Sequence, residues 1–170
     1  MSKNMIIILV FIVVAIIGTI ISFGLSPFSK GEWDVPLRSS AERRVGGVAE
    51  KTQISINNQT LEVYIANTEL DRMQGLSDVV FEEFDADGML FEFEDQAERY
   101  FWMKDMMFAL DIVWIVNDQI VKIETAIDPL NDQGNITNMD SQPYAVDKVL
   151  ELPAGGVDKY QVEVGQRIFK

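Results

Sequence analysis

The 170-residue chain contains neither cysteine nor histidine. Thiolate and imidazole are the usual sulfur and nitrogen ligands of zinc, copper and haem iron, and they also build the Ser-His-Asp and Cys-His catalytic sites. Their absence excludes those sites, and we expect neither a bound metal nor a cofactor. A chain without cysteine fits an exported protein as well as a cytosolic one, so this absence does not decide the compartment.

Basic residues are scarce after residue 50. Residues 51–170 hold nine Lys or Arg against 23 Asp or Glu, a net charge of −14, whereas residues 1–50 hold five against four. A protein that binds nucleic acid needs cationic side chains to neutralise phosphates. We therefore predict no nucleic-acid partner, and interpret the acidic residues as a hydrated surface that keeps the domain in solution.

Charge is entirely missing from residues 5–25, where Ile, Val, Leu and Phe predominate. At about 1.5 Å per residue, such a helix crosses roughly 30 Å of hydrocarbon. The run is longer than the apolar part of most signal peptides, and only Ser22-Phe23-Gly24 offers a weak cleavage site. We predict a tail at 1–4 and a transmembrane anchor at 5–25, with a signal peptide as the alternative.

The flanking charges give two opposed indications of orientation. Lys3 precedes the apolar run, whereas Lys30, Arg38, Arg43 and Arg44 follow it, which favours a cytoplasmic domain. The short N-terminal tail with one positive charge is instead typical of an export signal or signal-anchor. We expect a single-pass protein of the cell membrane with its domain on the extracytoplasmic side.

Residues 26–50 combine Pro, Gly, Ser and mixed charges without an apolar period, which indicates a flexible linker. Beyond it, residues 53–56 and 61–65 alternate around Asn57-Asn58 and predict a β-hairpin. Thr68 and Gly75 have the spacing of a helix cap and a helix stop.

Further apolar clusters of strand length follow at 89–93, 100–103, 112–116, 120–123 and 145–152, with a last one at 167–169 and a helical turn at 157–160. These features predict a mainly β domain over 51–170, a compact antiparallel β-sandwich of jelly-roll type with one or two short helices. The stretch 128–142 is predicted to be an exposed loop, whose Asp and Asn oxygens leave calcium binding open.

Four blocks of the sequence together resemble one prokaryotic family. They are Thr68, Arg72, Gly75 and Leu76; Gly88-Met89-Leu90-Phe91 with Phe93; Phe101-Trp102-Met103-Lys104 with Leu110-Asp111-Ile112; and 149–155 with Gly165. The domain is similar to the family of domain of unknown function 192. The resemblance implies a jelly-roll-like β-sandwich, often exported behind a signal or anchor, and no established activity. This chain departs from the family pattern at Ser77, Asp105-Met106 and Ala109.

Five residues form the candidate site, namely Arg72, Trp102, Lys104, Asp111 and Glu151. One interpretation is structural, because a Lys104–Asp111 pair across a hairpin would fix the strand register. Another is that Trp102 stacks on a polar ligand such as a glycan while cations and carboxylates bind its hydroxyl groups.

A third interpretation takes Asp111 and Glu151 as the two carboxylates of a glycosidase. The sequence favours a membrane-anchored extracytoplasmic module for binding or structural support, whose partner is a polar ligand or an envelope protein. A carboxylate-dependent enzyme acting on envelope glycans is the alternative.

Overall fold

The computed structural model describes residues 50–170, and their chain is mainly β. The strands are β1 (Lys51–Ile56), β2 (Gln59–Ala66), β3 (Gly88–Ala97), β4 (Tyr100–Trp102), β5 (Leu110–Val116), β6 (Gln119–Ile127), β7 (Asn138–Asp140), β8 (Val146–Pro153) and β9 (Ile168–Phe169). Two short helices, α1 (Glu69–Gln74) and α2 (Gly156–Lys159), and a 3₁₀ turn (Phe81–Glu83) connect them. The mainly β class with one or two short helices is confirmed.

The predicted tail at 1–4, the anchor at 5–25 and the linker at 26–50 lie outside the described residues, apart from residue 50 itself. Between residues 50 and 170, no helix is long and apolar enough to span a bilayer.

Seven strands form one curled sheet in the order β6-β5-β8-β3-β2-β1-β9, and β4 pairs with β7 in a separate small sheet. The two ends of the large sheet meet, because the Ile120 amide donates to the Gln166 carbonyl at 2.9 Å and the Gly165 amide donates to the Ile120 carbonyl at 2.9 Å. The predicted β1–β2 hairpin is present, and its turn residues Asn57 and Asn58 both have positive φ, as the common tight hairpin turn requires.

One strand pair departs from the predicted all-antiparallel arrangement. β2 and β3 run parallel, with Val63 opposite Gly88 and Ala66 opposite Phe91. Parallel neighbours need a crossover connection, and residues 67–87, which carry α1 and the 3₁₀ turn, supply it. The all-antiparallel expectation is wrong here because strand periodicity reports which residues form strands and not which way neighbouring strands run.

The two faces of the curled sheet carry two separate apolar clusters, as side chains alternate along each strand. The inner cluster includes Leu61, Val63, Ile65, Leu90, Val113, Ile115, Leu150 and Leu152. The outer cluster includes Tyr64, Met89, Phe91, Met103, Leu110, Ile112, Trp114, Met139 and Val149. Each of these residues is under a tenth exposed, so the sheet is covered on both faces here.

The small β4–β7 sheet covers part of the outer face. Phe101 of β4 points towards the large sheet and packs on the outer cluster. Its ring centroid lies 5.0 Å from that of Phe91 and 5.6 Å from that of Trp114. Its partner strand β7 lies inside the stretch 128–142 that the sequence predicted to be a strandless loop. That prediction is wrong for Asn138–Asp140, because the strand is three residues long and only Met139 in it is apolar.

Two glycines hold the crossover segment in place for different reasons. Gly75 ends α1 with a φ of +50°, and a Cβ there would lie 3.3 Å from the Phe91 ring. Gly88 begins β3 without positive φ, but a Cβ on it would approach the Glu151 carbonyl oxygen to 2.4 Å. Gly88 therefore permits close contact with β8.

The predicted Thr68 cap of α1 is present, since the Thr68 hydroxyl accepts a hydrogen bond from the Asp71 amide at 3.2 Å.

Candidate functional site

A cleft of about 440 Å³ opens on the outer face of the sheet. It is lined by residue 69 and residues 72–77 of α1 and the following turn, by Phe91 and Phe93 of β3, by residues 98–102, and by Met106 and Glu151. The parallel β2–β3 crossover places α1 on one side of this cleft. The small sheet provides the other side through β4.

Glu151 is the buried acidic residue of the cleft. It lies on the central strand β8, with Met89 and Ile112 opposite it on the two neighbouring strands. The residue is only 6% exposed, and no group within residues 50–170 forms a hydrogen bond or an ion pair with its carboxyl group. Burial disfavours the ionised form and raises the pKa of Glu151 to about 8. Glu151 is therefore predominantly protonated at neutral pH in the empty cleft.

The rim of the cleft carries exposed apolar side chains. Tyr100 and Trp102 are two residues apart on β4, so both point away from the core, and they are 69% and 61% exposed. Met73 of α1 is also mostly exposed. Large aromatic side chains left in water beside a concave surface are typical of a binding site.

Two arginines of the cleft are held by the protein itself. Arg72 donates from Nη1 to the carbonyl oxygens of Asn67 at 2.7 Å and Glu92 at 2.9 Å. Arg99 forms an ion pair with Asp95 at 2.5 Å. Both guanidinium groups lie over the Phe93 ring, at 5.2 Å for Arg72 and 4.0 Å for Arg99. The two cations thus stiffen the wall around Phe93, and neither is paired with Glu151.

Asp111 lies on the other face of the sheet from the cleft. It is 1% exposed, and its carboxylate accepts hydrogen bonds from the amides of Ala126 at 2.8 Å and Val157 at 2.9 Å. On β8 the residue opposite it is Leu152, a member of the inner cluster, whereas Glu151 points outward. The predicted convergence of Asp111 with Arg72 and Trp102 is therefore wrong, and so is its pairing with Glu151. Asp111 instead ties β6 and α2 to β5.

Lys104 lies in the turn after β4 and is about half exposed. Its Nζ is 3.7 Å from the Asp105 carboxylate and 5.9 Å from the centroid of the Trp102 ring. The predicted register-fixing pair of Lys104 with Asp111 is not formed, because the chain turns at Asp105, whose φ is +58°. Lys104 is also not among the residues that line the cleft.

Of the five predicted site residues, the structure brings Arg72, Trp102 and Glu151 into one cleft and leaves out Lys104 and Asp111. Phe93, Arg99 and Tyr100 also line the cleft and are not among the five residues predicted from the sequence. The alternation within β4 contained a usable signal for Tyr100, since it shares a face with Trp102. No group of three or more Asp or Glu residues within 50–170 is arranged to hold a metal ion.

Residues 51–169 match the family of domain of unknown function 192, described as "Uncharacterized ACR". The chain belongs to this family. The resemblance drawn from the four sequence blocks is thereby confirmed. No curated protein matches the chain.

Two solved structures are similar to the DUF192 domain. One is a protein of Sinorhizobium meliloti 1021, described as a proposed transcription regulator, with 28% identity and a TM-score of 0.62 over 71% of this chain and 94% of that one. The other, from Novosphingobium aromaticivorans DSM 12444, is a protein of unknown function with 19% identity and a TM-score of 0.58 over 71% of this chain and 85% of that one. The second likeness shows the fold alone.

Proposed function

We propose that this DUF192 domain is a binding module whose cleft takes a polar ligand with apolar faces, of the glycan class. The observation that carries the proposal is Glu151, a carboxyl group 6% exposed, without a partner among residues 50–170, and part of the wall of a cleft with exposed aromatic residues at its rim. Buried polar groups are almost always hydrogen-bonded in folded proteins, so an unmatched one in a cleft indicates a place for a ligand.

The rim fits the sugar part of this proposal. Sugar rings have CH faces that pack on aromatic side chains, and hydroxyl groups that hydrogen-bond with nearby polar groups. Tyr100 and Trp102 provide the aromatic surface, while Arg72 and Glu151 provide polar groups beside it.

The charge of the domain disfavours nucleic acid as the ligand. Residues 51–170 carry a net charge of −14, and phosphate backbones are repelled by such a surface unless a basic patch offsets it. Both arginines of the cleft already bind groups of this chain. The acidic charge therefore gives no support for a role in transcription like the one in the description of the Sinorhizobium protein.

We further propose that residues 5–25 anchor the chain as a single-pass membrane protein and that residues 26–50 tether the domain on the extracytoplasmic side. The uncharged 21-residue apolar run and the short tail that carries Lys3 support this placement. In this arrangement, envelope glycans or envelope proteins are the partners within reach.

The absence of cysteine makes the orientation directly testable. Asp132→Cys, in an exposed loop, would introduce the only thiol of the chain. A membrane-impermeant maleimide should label this variant in intact cells as fully as in lysed cells. Labelling that appears only after lysis would place the domain in the cytoplasm.

A carboxylate-dependent enzyme acting on glycans is the second candidate, and the protonated state of Glu151 at neutral pH favours it, since a general acid needs that state. Asp111 cannot be its partner, because it lies across the sheet. An enzyme should lose turnover in Glu151→Gln while keeping substrate affinity, whereas a binding module has no turnover to lose.

Calorimetric titration of the full chain in detergent with the trimers of N-acetylglucosamine and glucosamine tests the binding function. We expect at least one trimer to bind, and Trp102→Ala to weaken its binding tenfold or more, because the aromatic surface is removed. Met107→Ala is the matched control, since Met107 is also mostly exposed but does not line the cleft. Failure of both trimers to bind, or equal weakening by both variants, would contradict the proposal.

A further inference from the structure

We propose that the cleft takes a ligand with a protonated primary amine and that this ammonium group binds to the carboxylate of Glu151. This inference rests on the proposed binding function and narrows its ligand class to amine-bearing molecules, such as sugars with a free amino group. It makes Glu151 the residue that determines specificity.

Glu151 has no bonding partner among residues 50–170. Glu151 is almost fully buried, and neither a hydrogen-bond donor nor a cation within residues 50–170 reaches its carboxyl group. Ionised carboxylates inside proteins are stabilised by a donor or an opposite charge. In this cleft that charge has to come from outside the domain, and an ammonium group supplies both the charge and three hydrogen-bond donors.

Both guanidinium groups of the cleft are bound to groups of this chain, and within residues 50–170 only the Arg99 Nε among their nitrogens is buried without a hydrogen-bond partner. Arg72 binds two backbone carbonyls, and Arg99 is paired with Asp95 and lies over Phe93. Burial alone accounts for the raised pKa of Glu151, with no contribution from either guanidinium group. A carboxyl group that is paired with no cation among residues 50–170 is able to select one from a ligand.

Aromatic side chains surround the cleft in which the Glu151 carboxyl group lies. Phe91, Phe101 and Trp102 line the same cleft, and aromatic faces attract ammonium groups, most strongly where water is excluded. The net charge of −14 over residues 51–170 adds a long-range attraction for cations. An anionic ligand would be opposed by both features.

Binding an ammonium group has a consequence for protons. Because the pKa of Glu151 is about 8 in the empty cleft, the carboxyl group is protonated at pH 6.5 and has to release its proton to pair with the amine. The O–H bond of the carboxyl group breaks, the proton passes to the buffer, and the amine keeps its own protons. A neutral ligand that accepts a hydrogen bond from protonated Glu151 would release none.

The decisive experiment is calorimetry of the full chain at pH 6.5 in two buffers of different ionisation enthalpy, with three probes. These are the trimer of glucosamine, its N-acetylated counterpart and 1,5-diaminopentane. We expect close to one proton released per bound 1,5-diaminopentane, because alkyl amines are fully protonated at this pH as lysine is. The glucosamine trimer should also release protons, and the N-acetylated trimer should bind at least tenfold more weakly than the glucosamine trimer and release none. Affinity for the diamine should rise close to tenfold per pH unit from pH 6 towards the pKa of Glu151.

Glu151→Gln removes the charge and keeps the shape. It should abolish proton release and reduce the affinity for both amines tenfold or more, while leaving any binding of the N-acetylated trimer unchanged. Equal affinities of both trimers without proton release would overturn the ammonium inference and leave the binding function standing. Proton release with the diamine alone would support the ammonium site and show that the ligand carrying the ammonium group is not a sugar. If none of the three probes bound, both proposals would be overturned.

Discussion

Asp111 and Glu151 are both buried carboxyl groups on adjacent strands of one sheet, yet their surroundings differ completely. Asp111 faces the inner cluster, and two backbone amides donate to it. Glu151 faces the outer cleft, and nothing within residues 50–170 donates to it. The difference shows that the burial of an acid does not reveal its role. The Asp111 carboxylate has two donors and holds the fold, whereas the Glu151 carboxyl group has no partner among residues 50–170 and is the group that we propose to contact a ligand.

The largest effect is expected on the inner side, from Asp111→Ala. This change leaves the amides of Ala126 and Val157 buried without an acceptor, which should lower the free energy of unfolding by about 3–5 kcal/mol. Urea unfolding measures it, with Asp132→Ala in an exposed loop as the matched control. If both variants were equally stable, Asp111 would not hold the fold as described.

On the outer side, Glu151→Gln should raise the free energy of unfolding at high pH, whereas Asp111→Ala lowers it. Since the pKa of Glu151 is raised from 4.5 to about 8 on folding, the folded chain holds a proton that the unfolded chain has lost. The wild type therefore loses stability from this group as pH rises from about 4.5 to 8, and the amide does not. Between pH 5 and pH 9 the stability of the variant relative to the wild type should rise by about 2–4 kcal/mol.

Thermal unfolding of both proteins across this pH range measures that difference. Glu98→Gln, at the exposed edge of the same cleft, is the control for replacing a carboxyl group by an amide there. A flat difference for Glu151→Gln would show that this carboxyl group is ionised in the fold at neutral pH.

Gly88→Ala should affect both faces of the sheet. Gly88 contacts the backbone of β8 where Glu151 points outward and Leu152 points inward. The added methyl group would lie 2.4 Å from the Glu151 carbonyl oxygen and 2.7 Å from a Leu152 methyl group. We expect a loss of about 1–3 kcal/mol in urea unfolding, together with weaker ligand binding. Gly134→Ala is the comparison for backbone strain without a clash, since no atom lies within 4 Å of a Cβ there but its φ is +76°, which costs alanine about 1 kcal/mol. Full stability of Gly88→Ala would contradict the close approach.

The smallest effect is expected from Lys104→Ala. Lys104 is about half exposed, and its ion pair with Asp105 spans 3.7 Å. Surface pairs of this kind contribute about 0–1 kcal/mol, so unfolding should change by under about 0.5 kcal/mol and ligand binding should not change. A loss of unfolding free energy as large as that of Asp111→Ala would instead indicate that Lys104 pairs with Asp111.

Much of the domain could be read from local patterns. The β1–β2 hairpin, the Thr68 cap, the Gly75 stop and most strands follow from alternation and turn residues, because these depend on neighbours a few positions apart. The site was only partly predictable. Arg72, Trp102 and Glu151 line one cleft, but the sequence could not tell that Glu151 points outward while Asp111 points inward.

The sequence by itself determined the mainly β class, the family and the acidic character of the domain, since composition, periodicity and short motifs are properties of the chain alone. Only the tertiary structure decided that β2 and β3 run parallel and that their crossover forms one side of a cleft. Strand direction and sheet face depend on contacts between distant residues, and those contacts gave Asp111 two hydrogen-bond donors and left Glu151 buried with no partner among residues 50–170.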